Sequence, residues 1–466
     1  MKNSKTASAI VATAITLALC EGTSARANGV DNPFGGDDAS YGGASYGGAS
    51  YGGASYGGAS YGGASYGGAS YGGFVEPALR LPDKPVPVIS SWKLSTSGNR
   101  DTVRATVVLA QSAGVQVVRL TGRIGDVQTT GEQSDELFAV DETGKLHAMH
   151  MKYKHVTRSI QFGEATALAG GEALAFGRAP ATSGDPSSNT DTAAVVRVRR
   201  NATLAWHAAF TVQAPATCNP KVYMCGFAFV EAAVATDAHV FALVGYQRGT
   251  LQAGAHTVRG KYAFNRALIQ LDLASGKVRA AIELGNVFEK VLASNGVDVC
   301  TLGILQDEAT THLMCYGAQK LNAKRPVKLA VKLTGIGMTK RLLFAGNKLV
   351  VVAGTPTGGH LTMFAPTGTL VGQAALGSNA LVVPLKTGVL SVAPKGNARG
   401  QDAIATQWDT LQMAFDGSVR RGVEPSAPFL VESVRLDRTD AGITMSGVLQ
   451  SAKAAPVLAV VAWDAR

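Results

Sequence analysis

Long hydrophobic runs are missing from this chain after its first twenty residues. Nothing downstream approaches the roughly 18 uninterrupted apolar residues of a spanning helix. Charge is sparse, at 16% of residues, and sustained helical periodicity is hard to find. Gly-x-Ser-x-Gly is absent, so no nucleophile elbow accompanies the scattered His207, His239, His256, His312 and His360. Acidic pairs such as Asp307-Glu308 fall in turns, where a solvated role is ordinary. Cysteine is scarce, with five residues in 466, and no pair has the two-to-four-residue spacing of a zinc knuckle.

The first 27 residues read as an export signal. Lys2 and Lys5 precede the apolar run Ala9 to Leu19, and Ala25-Arg26-Ala27 offers small residues for cleavage after Ala27. A rival reading takes Leu17-Ala18-Leu19-Cys20 as a lipoprotein box, with Cys20 acylated as a membrane tether. Leu19 is large for the position before that cysteine. Residues 28–78 are expected to be a disordered spacer, because seven identical copies of Ala-Ser-Tyr-Gly-Gly fill 39–73. Two glycines in every five carry a large ordering entropy, and one tyrosine per copy offers little to pack. As a Gly-rich coil the repeat spans about 30 to 35 Å. The alternative is that Tyr41 through Tyr71 form an adhesive or cross-linked array in a surface protein.

With Cys20 removed, four cysteines remain in two close pairs, Cys218 with Cys225 and Cys300 with Cys315. An even set on an exported chain predicts two disulfides, the second joining neighbouring strands across a hairpin.

The formal charge of +10 suits an acidic polysaccharide, lipopolysaccharide or nucleic acid, yet Lys and Arg are dispersed. Their densest groups are Arg197, Arg199, Arg200 and Lys320, Lys324, Arg325, Lys328. Neither interleaves aromatics as a single-strand platform does, and export removes the chain from nucleic acid. The expected partner is a protein or a polysaccharide, and the chain is expected to be a monomer, secreted, periplasmic or at the cell surface.

Residues 79–466 are read as all-β. One phrase recurs, a strand, a polar turn with Asp or Asn and Gly or Thr, and a second strand: Leu137 to Leu146, Val195 to Leu204, Leu268 to Val278, Thr362 to Leu370 and Gln412 to Val419. A second type is an apolar strand ending in Gly: Ala173 to Gly177, Val240 to Gly245 and Lys348 to Gly354. Alternating the two gives units of four short strands, the size of one propeller blade. Six or seven such blades fit the body. Val457 to Asp464 reads as a last blade strand with which Val86 to Trp92 pairs to close the ring. Tandem β-sandwiches are the alternative.

On these phrases the body resembles secreted bacterial β-propeller proteins. Quinone-dependent dehydrogenases of that class usually place a Trp soon after the Gly, and here only Leu204-Ala205-Trp206 comes close. No cofactor is expected. Candidate metal ligands lie in His147 to His155, where an extended backbone sets His147, Met149, Met151 and His155 on one face. Imidazole with thioether suits copper. The plainer reading puts the methionines in the core and the histidines at the rim, with no metal. Catalytic residues are not legible.

Three functions follow: a non-enzymatic binding or scaffold propeller on a flexible tether, a hydrolase or lyase with its site in the channel, and a structural protein acting through the tyrosine repeat.

Overall fold

The computed structural model describes residues 88–93 and, with breaks at loops, 102–463. The signal, the spacer, Cys20, Cys218, Cys225, His155 and the Lys320 to Lys328 group's Lys320, Lys324, Arg325 and Lys328 side chains lie outside the described residues. Everything described belongs to one compact unit, Glu76–Arg466.

That unit is a β-propeller of seven blades, each an antiparallel meander of four strands. Strand β1 (Val88–Lys93) is set aside for the ring closure. Blade 1 is β2 (Thr102–Gln111), β3 (Gln116–Arg123), β4 (Asp135–Val140) and β5 (Leu146–Ala148). A separate small hairpin follows, β6 (Met151–Tyr153) with β7 (Val156–Arg158). Blade 2 is β8 (Gln161–Ala167), β9 (Ala173–Ala179), β10 (Thr192–Val198) and β11 (Leu204–Gln213). Blade 3 begins with β12 (Ala228–Ala235) and β13 (His239–Gln247) and carries an inserted hairpin, β14 (Thr250–Ala253) and β15 (His256–Arg259). It ends with β16 (Phe264–Asp272) and β17 (Val278–Gly285).

Blade 4 is β18 (Leu292–Ser294), β19 (Asp298–Ile304), β20 (Thr311–Gly317) and β21 (Leu329–Leu333). Blade 5 is β22 (Thr339–Ala345), β23 (Lys348–Thr355), β24 (Gly358–Phe364) and β25 (Leu370–Leu376). Blade 6 is β26 (Leu381–Pro384), β27 (Gly388–Pro394), β28 (Ile404–Ala414) and β29 (Val419–Leu430). Blade 7 is β30 (Arg435–Thr439), β31 (Gly442–Leu449), β32 (Val457–Trp463) and, from the start of the unit, β1.

Two relationships establish the ring. The first strands of successive blades, β2, β8, β12, β18, β22, β26 and β30, touch in that order, and β30 touches β2. Strand β1 pairs antiparallel with β32, Val88 opposite Val461 and Trp92 opposite Leu458, so the last blade is completed by the first strand. This is the closure the sequence suggested. The five turn phrases all become third-to-fourth-strand hairpins, β4–β5, β10–β11, β16–β17, β24–β25 and β28–β29. The Gly-ended apolar segments become second strands, β9, β13 and β23.

Second strands read as unbroken apolar runs because they are buried on both faces. In β13, Val240, Ala242 and Val244 pack toward blade 2, while Phe241 and Leu243 pack toward blade 4. In β23, Leu349 and Val351 face blade 4, and Val350 and Val352 face blade 6. The apolar cores are thus slabs between neighbouring blades. Each fully buried Val, Leu or Phe contributes about 1.5–3 kcal/mol. Cys300 and Cys315 sit directly opposite one another on β19 and β20 and form the expected disulfide, with Cα atoms 4.1 Å apart.

The segment His147 to His155 differs from its expected form. It is broken between β5 and the hairpin β6–β7, so no continuous strand carries a common face through it. Met149 goes into the core between blades 1 and 2, where its thioether is 1% exposed.

Candidate binding cleft at the inserted hairpin

The hairpin β14–β15 leaves blade 3 and joins the sheet of blade 2. Strand β14 pairs with the end of β11, Gln213 opposite Thr250, Val212 opposite Leu251 and Thr211 opposite Gln252. Alternation explains its seat: Leu251, Ala253 and Val258 are buried in the core shared by blades 2 and 3, leaving Thr257 and Arg259 outward. At its entry Gly249 has φ +140, and a Cβ there would lie 2.4 Å from the Gln213 carbonyl oxygen. Only glycine lets the two backbones come so close.

The return to blade 3 is held equally firmly. The Asn265 side chain, wholly buried, accepts from the Tyr262 backbone N–H at 2.8 Å and donates to the Tyr262 carbonyl at 2.8 Å. Gly260 N–H donates to the Gly249 carbonyl at 3.1 Å, and Arg248 N–H to that of Ala263 at 3.1 Å. Loop residues 260–263 are therefore fixed before any ligand arrives.

A cleft of about 580 Å³ opens against this loop, lined by Gln213, Arg248, Thr250, Arg259, Lys261 and Tyr262 among others. Arg248, Arg259 and Lys261 are exposed, and Tyr262 is 38% exposed. No carboxylate is among the lining residues. The cleft wall thus carries three cationic side chains and one part-exposed tyrosine.

A second cleft, of about 650 Å³, lies across the same wall. It shares Arg259, Gly260 and Lys261 and adds Thr257, Ile282 and Glu283. Among the described residues, the buried Glu283 Oε1 has no hydrogen-bond partner, nor has the hydroxyl of Tyr246. Burial, and then the Glu283 charge, push the Tyr246 phenol well above its ordinary pKa, so it stays protonated.

The channel wall carries a different charge group. Arg341 on β22 donates from Nη1 to the Val382 carbonyl at 2.7 Å. Burial, then the neighbouring Arg435, lower its guanidinium to about 10, opposed by Asp437 and Glu164. Arg435 Nε donates to Asp437 Oδ1 at 3.2 Å, while Asp437 Oδ2 is buried and has no partner among the described residues.

The other candidates from the sequence do not gather into this cleft. His147 Nε2 lies 2.7 Å from Asp141 Oδ2, bracing the β4–β5 turn. Met149 is core, Met151 begins β6, and no group of three metal-ligating acids, cysteines or histidines occurs among the described residues. In the basic group at Arg197, Arg197 pairs with Glu172 and donates to the Leu273 carbonyl, while Arg199 Nη1 donates to that of Leu204 and Arg199 and Arg200 stay exposed. Sequence reading missed Arg248, Arg259, Lys261 and Tyr262. Their signal was position, since Arg248-Gly249 and Arg259-Gly260-Lys261-Tyr262 flank the two ends of the inserted hairpin.

No protein-family model matches the chain, and no curated protein does. Among solved structures it is similar to the β-propeller domain of the Trilobed protease from Pyrococcus furiosus, at 11% identity over 48% of this chain and 66% of that one, with a TM-score of 0.32. It is similar also to a chain of the Mitotic Checkpoint Complex, at 12% identity over 83% and 98%, TM-score 0.41. A third is Pyrococcus horikoshii acylaminoacyl peptidase, at 10% identity over 47% of this chain, TM-score 0.33, and the chain spans about a third of that enzyme's length. The activities of these proteins do not transfer at such distances; the propeller assignment rests on the ring of strands above.

Proposed function

We propose that this chain is an exported, non-enzymatic binding propeller that holds an acidic polysaccharide in the cleft at the inserted hairpin. The observation that carries this reading is the convergence of Arg248, Arg259 and Lys261 around Tyr262, on a loop locked by Asn265. Uronate or sulfate groups meet the cations, and the Tyr262 ring offers a stacking face for a sugar. Exposed ion pairs contribute only about 0–1 kcal/mol each, so affinity comes from several acting together on a loop that needs no ordering. It also falls with salt.

The layout supports this role. A leader of 1–27 leaves on export, 28–78 acts as a tether, and the monomeric body from 79 reaches a polymer away from the envelope. The Cys300–Cys315 disulfide fits an oxidising compartment. Among the described residues no helix is long and apolar enough to cross a membrane. Mass spectrometry of the mature N-terminus separates Asn28 from acylated Cys20.

Calorimetry with oligogalacturonate and with neutral dextran tests the function. Oligogalacturonate is expected to bind at low salt and weaken at high salt, with dextran inert. Lys261→Glu and Tyr262→Ala should each weaken binding roughly tenfold, the scale of one strong contact. Equal binding of both polymers, or variants that bind normally, would overturn the reading. Chain length is expected to stay constant on incubation. A hydrolase or lyase with its site in the channel is the second reading, with Asp437 beside Arg435 as the carboxylate to test. Release of reducing ends that disappears in Asp437→Asn would favour it instead.

A further inference from the structure

We infer that the two clefts on either side of the Arg259–Lys261 wall are successive subsites for one sugar chain, the first for an acidic unit and the second for a neutral, hydroxyl- or amide-bearing unit. This rests on the polysaccharide reading and narrows it to a polymer in which acidic and neutral sugars alternate.

Shared residues make the clefts neighbours. Arg259, Gly260 and Lys261 line both, so a chain lying across residues 259–261 enters each without leaving the cationic wall. The clefts differ in what lies beyond that wall. The first has Arg248, Tyr262 and no carboxylate. The second has the Glu283 carboxylate on its wall.

The Glu283 carboxylate on the wall of that cleft accepts from a ligand O–H or N–H. A second uronate at that place brings a carboxylate against Glu283 and is repelled. Glu283 therefore selects a neutral unit by rejecting an acidic one, a discrimination built from repulsion as much as from attraction.

The test compares two tetrasaccharides by calorimetry, one of alternating uronate and N-acetylhexosamine from hyaluronan, the other all-galacturonate. The protein is expected to prefer the alternating chain by roughly tenfold, the scale of one charge-assisted hydrogen bond. Glu283→Gln keeps the shape and an acceptor oxygen but removes the charge, and it should bring the two affinities together. Lys261→Glu should weaken both. No preference in the unmodified protein, or a preference that survives Glu283→Gln, overturns the two-subsite arrangement while leaving the basic cleft standing. Failure of both tetrasaccharides to bind overturns the basic cleft and the subsites together. An unchanged melting temperature for Glu283→Gln ties its effect to the ligand.

Discussion

Trp206, on the outer strand of blade 2, lies against Gly276 in the β16–β17 turn of blade 3, and its indole N–H donates to the Leu273 carbonyl of the same turn at 2.8 Å. Arg197 donates to that carbonyl as well, at 2.9 Å. Two side chains of one blade thus grip the hairpin of the next. A Cβ on Gly276, where φ is +69, would sit 2.6 Å from the indole.

Gly276→Ala is therefore expected to destabilise the protein by about 2–4 kcal/mol, combining a strained backbone with overpacking. Gly296→Ala is the matched comparison, with φ +86 but nothing within 4 Å of its Cβ. It should cost only about 1 kcal/mol. Urea unfolding of both variants separates the two contributions, and equal losses would show that the tryptophan contact adds nothing.

Gly249 ties the fold to the cleft. Alanine there meets the Gln213 carbonyl at 2.4 Å, so Gly249→Ala should detach β14 from β11 and disperse the cations of the cleft. Oligogalacturonate binding is expected to fall roughly tenfold or more while the unfolding transition remains cooperative. Retained affinity would mean that the hairpin does not need its cross-blade pairing.

Glu231 on β12 and Arg266 on β16 form a buried bidentate ion pair, with side chains 0% and 7% exposed. The guanidinium also lies 5.0 Å from the Phe264 ring centroid. Glu231→Leu leaves a buried cation alone and should cost about 3–5 kcal/mol. Pairing it with Arg266→Met should restore much of that loss. A double variant no better than Glu231→Leu alone would assign the loss to packing.

Asp272 closes the same turn that Trp206 grips. Arg279 donates to its Oδ2 at 2.7 Å, and Ser275 donates to its Oδ1 through N–H and hydroxyl at 2.9 and 2.8 Å. These bonds, Arg279's first, hold the carboxyl well below the ordinary carboxylate range. Its stabilisation is thus complete above the unfolded value and fades as acid protonates it. Unfolding midpoints of the protein and of Asp272→Asn should differ at neutral pH and draw together progressively as the pH falls below about 4, meeting only in strong acid. A gap that is constant with pH would show that the charge contributes nothing.

Hairpins were legible because their causes are local. In Leu268 to Val278 the strand period, the Asx turn at Asp272 and the positive φ of Gly276 all lie within eleven residues, and the structure uses each. The strands β13 and β23 were legible too, as apolar runs ending in Gly, while their burial on both faces comes from the neighbouring blades. The break after Ala148 was not, because whether His147 to His155 stays in one strand depends on what edge is available beyond β5.

The cleft was hidden for a related reason. The sequence by itself determined the strands, their turns, the Cys300–Cys315 pairing across a hairpin and the meeting of first and last strands. Which cations meet was decided only in three dimensions: β14 extends a sheet belonging to the preceding blade, and that hydrogen bonding brings Arg248, Arg259 and Lys261 to one wall while Arg197 is consumed within the fold. Turns depend on a few adjacent dihedrals, whereas a shared wall depends on the edge a distant strand leaves open.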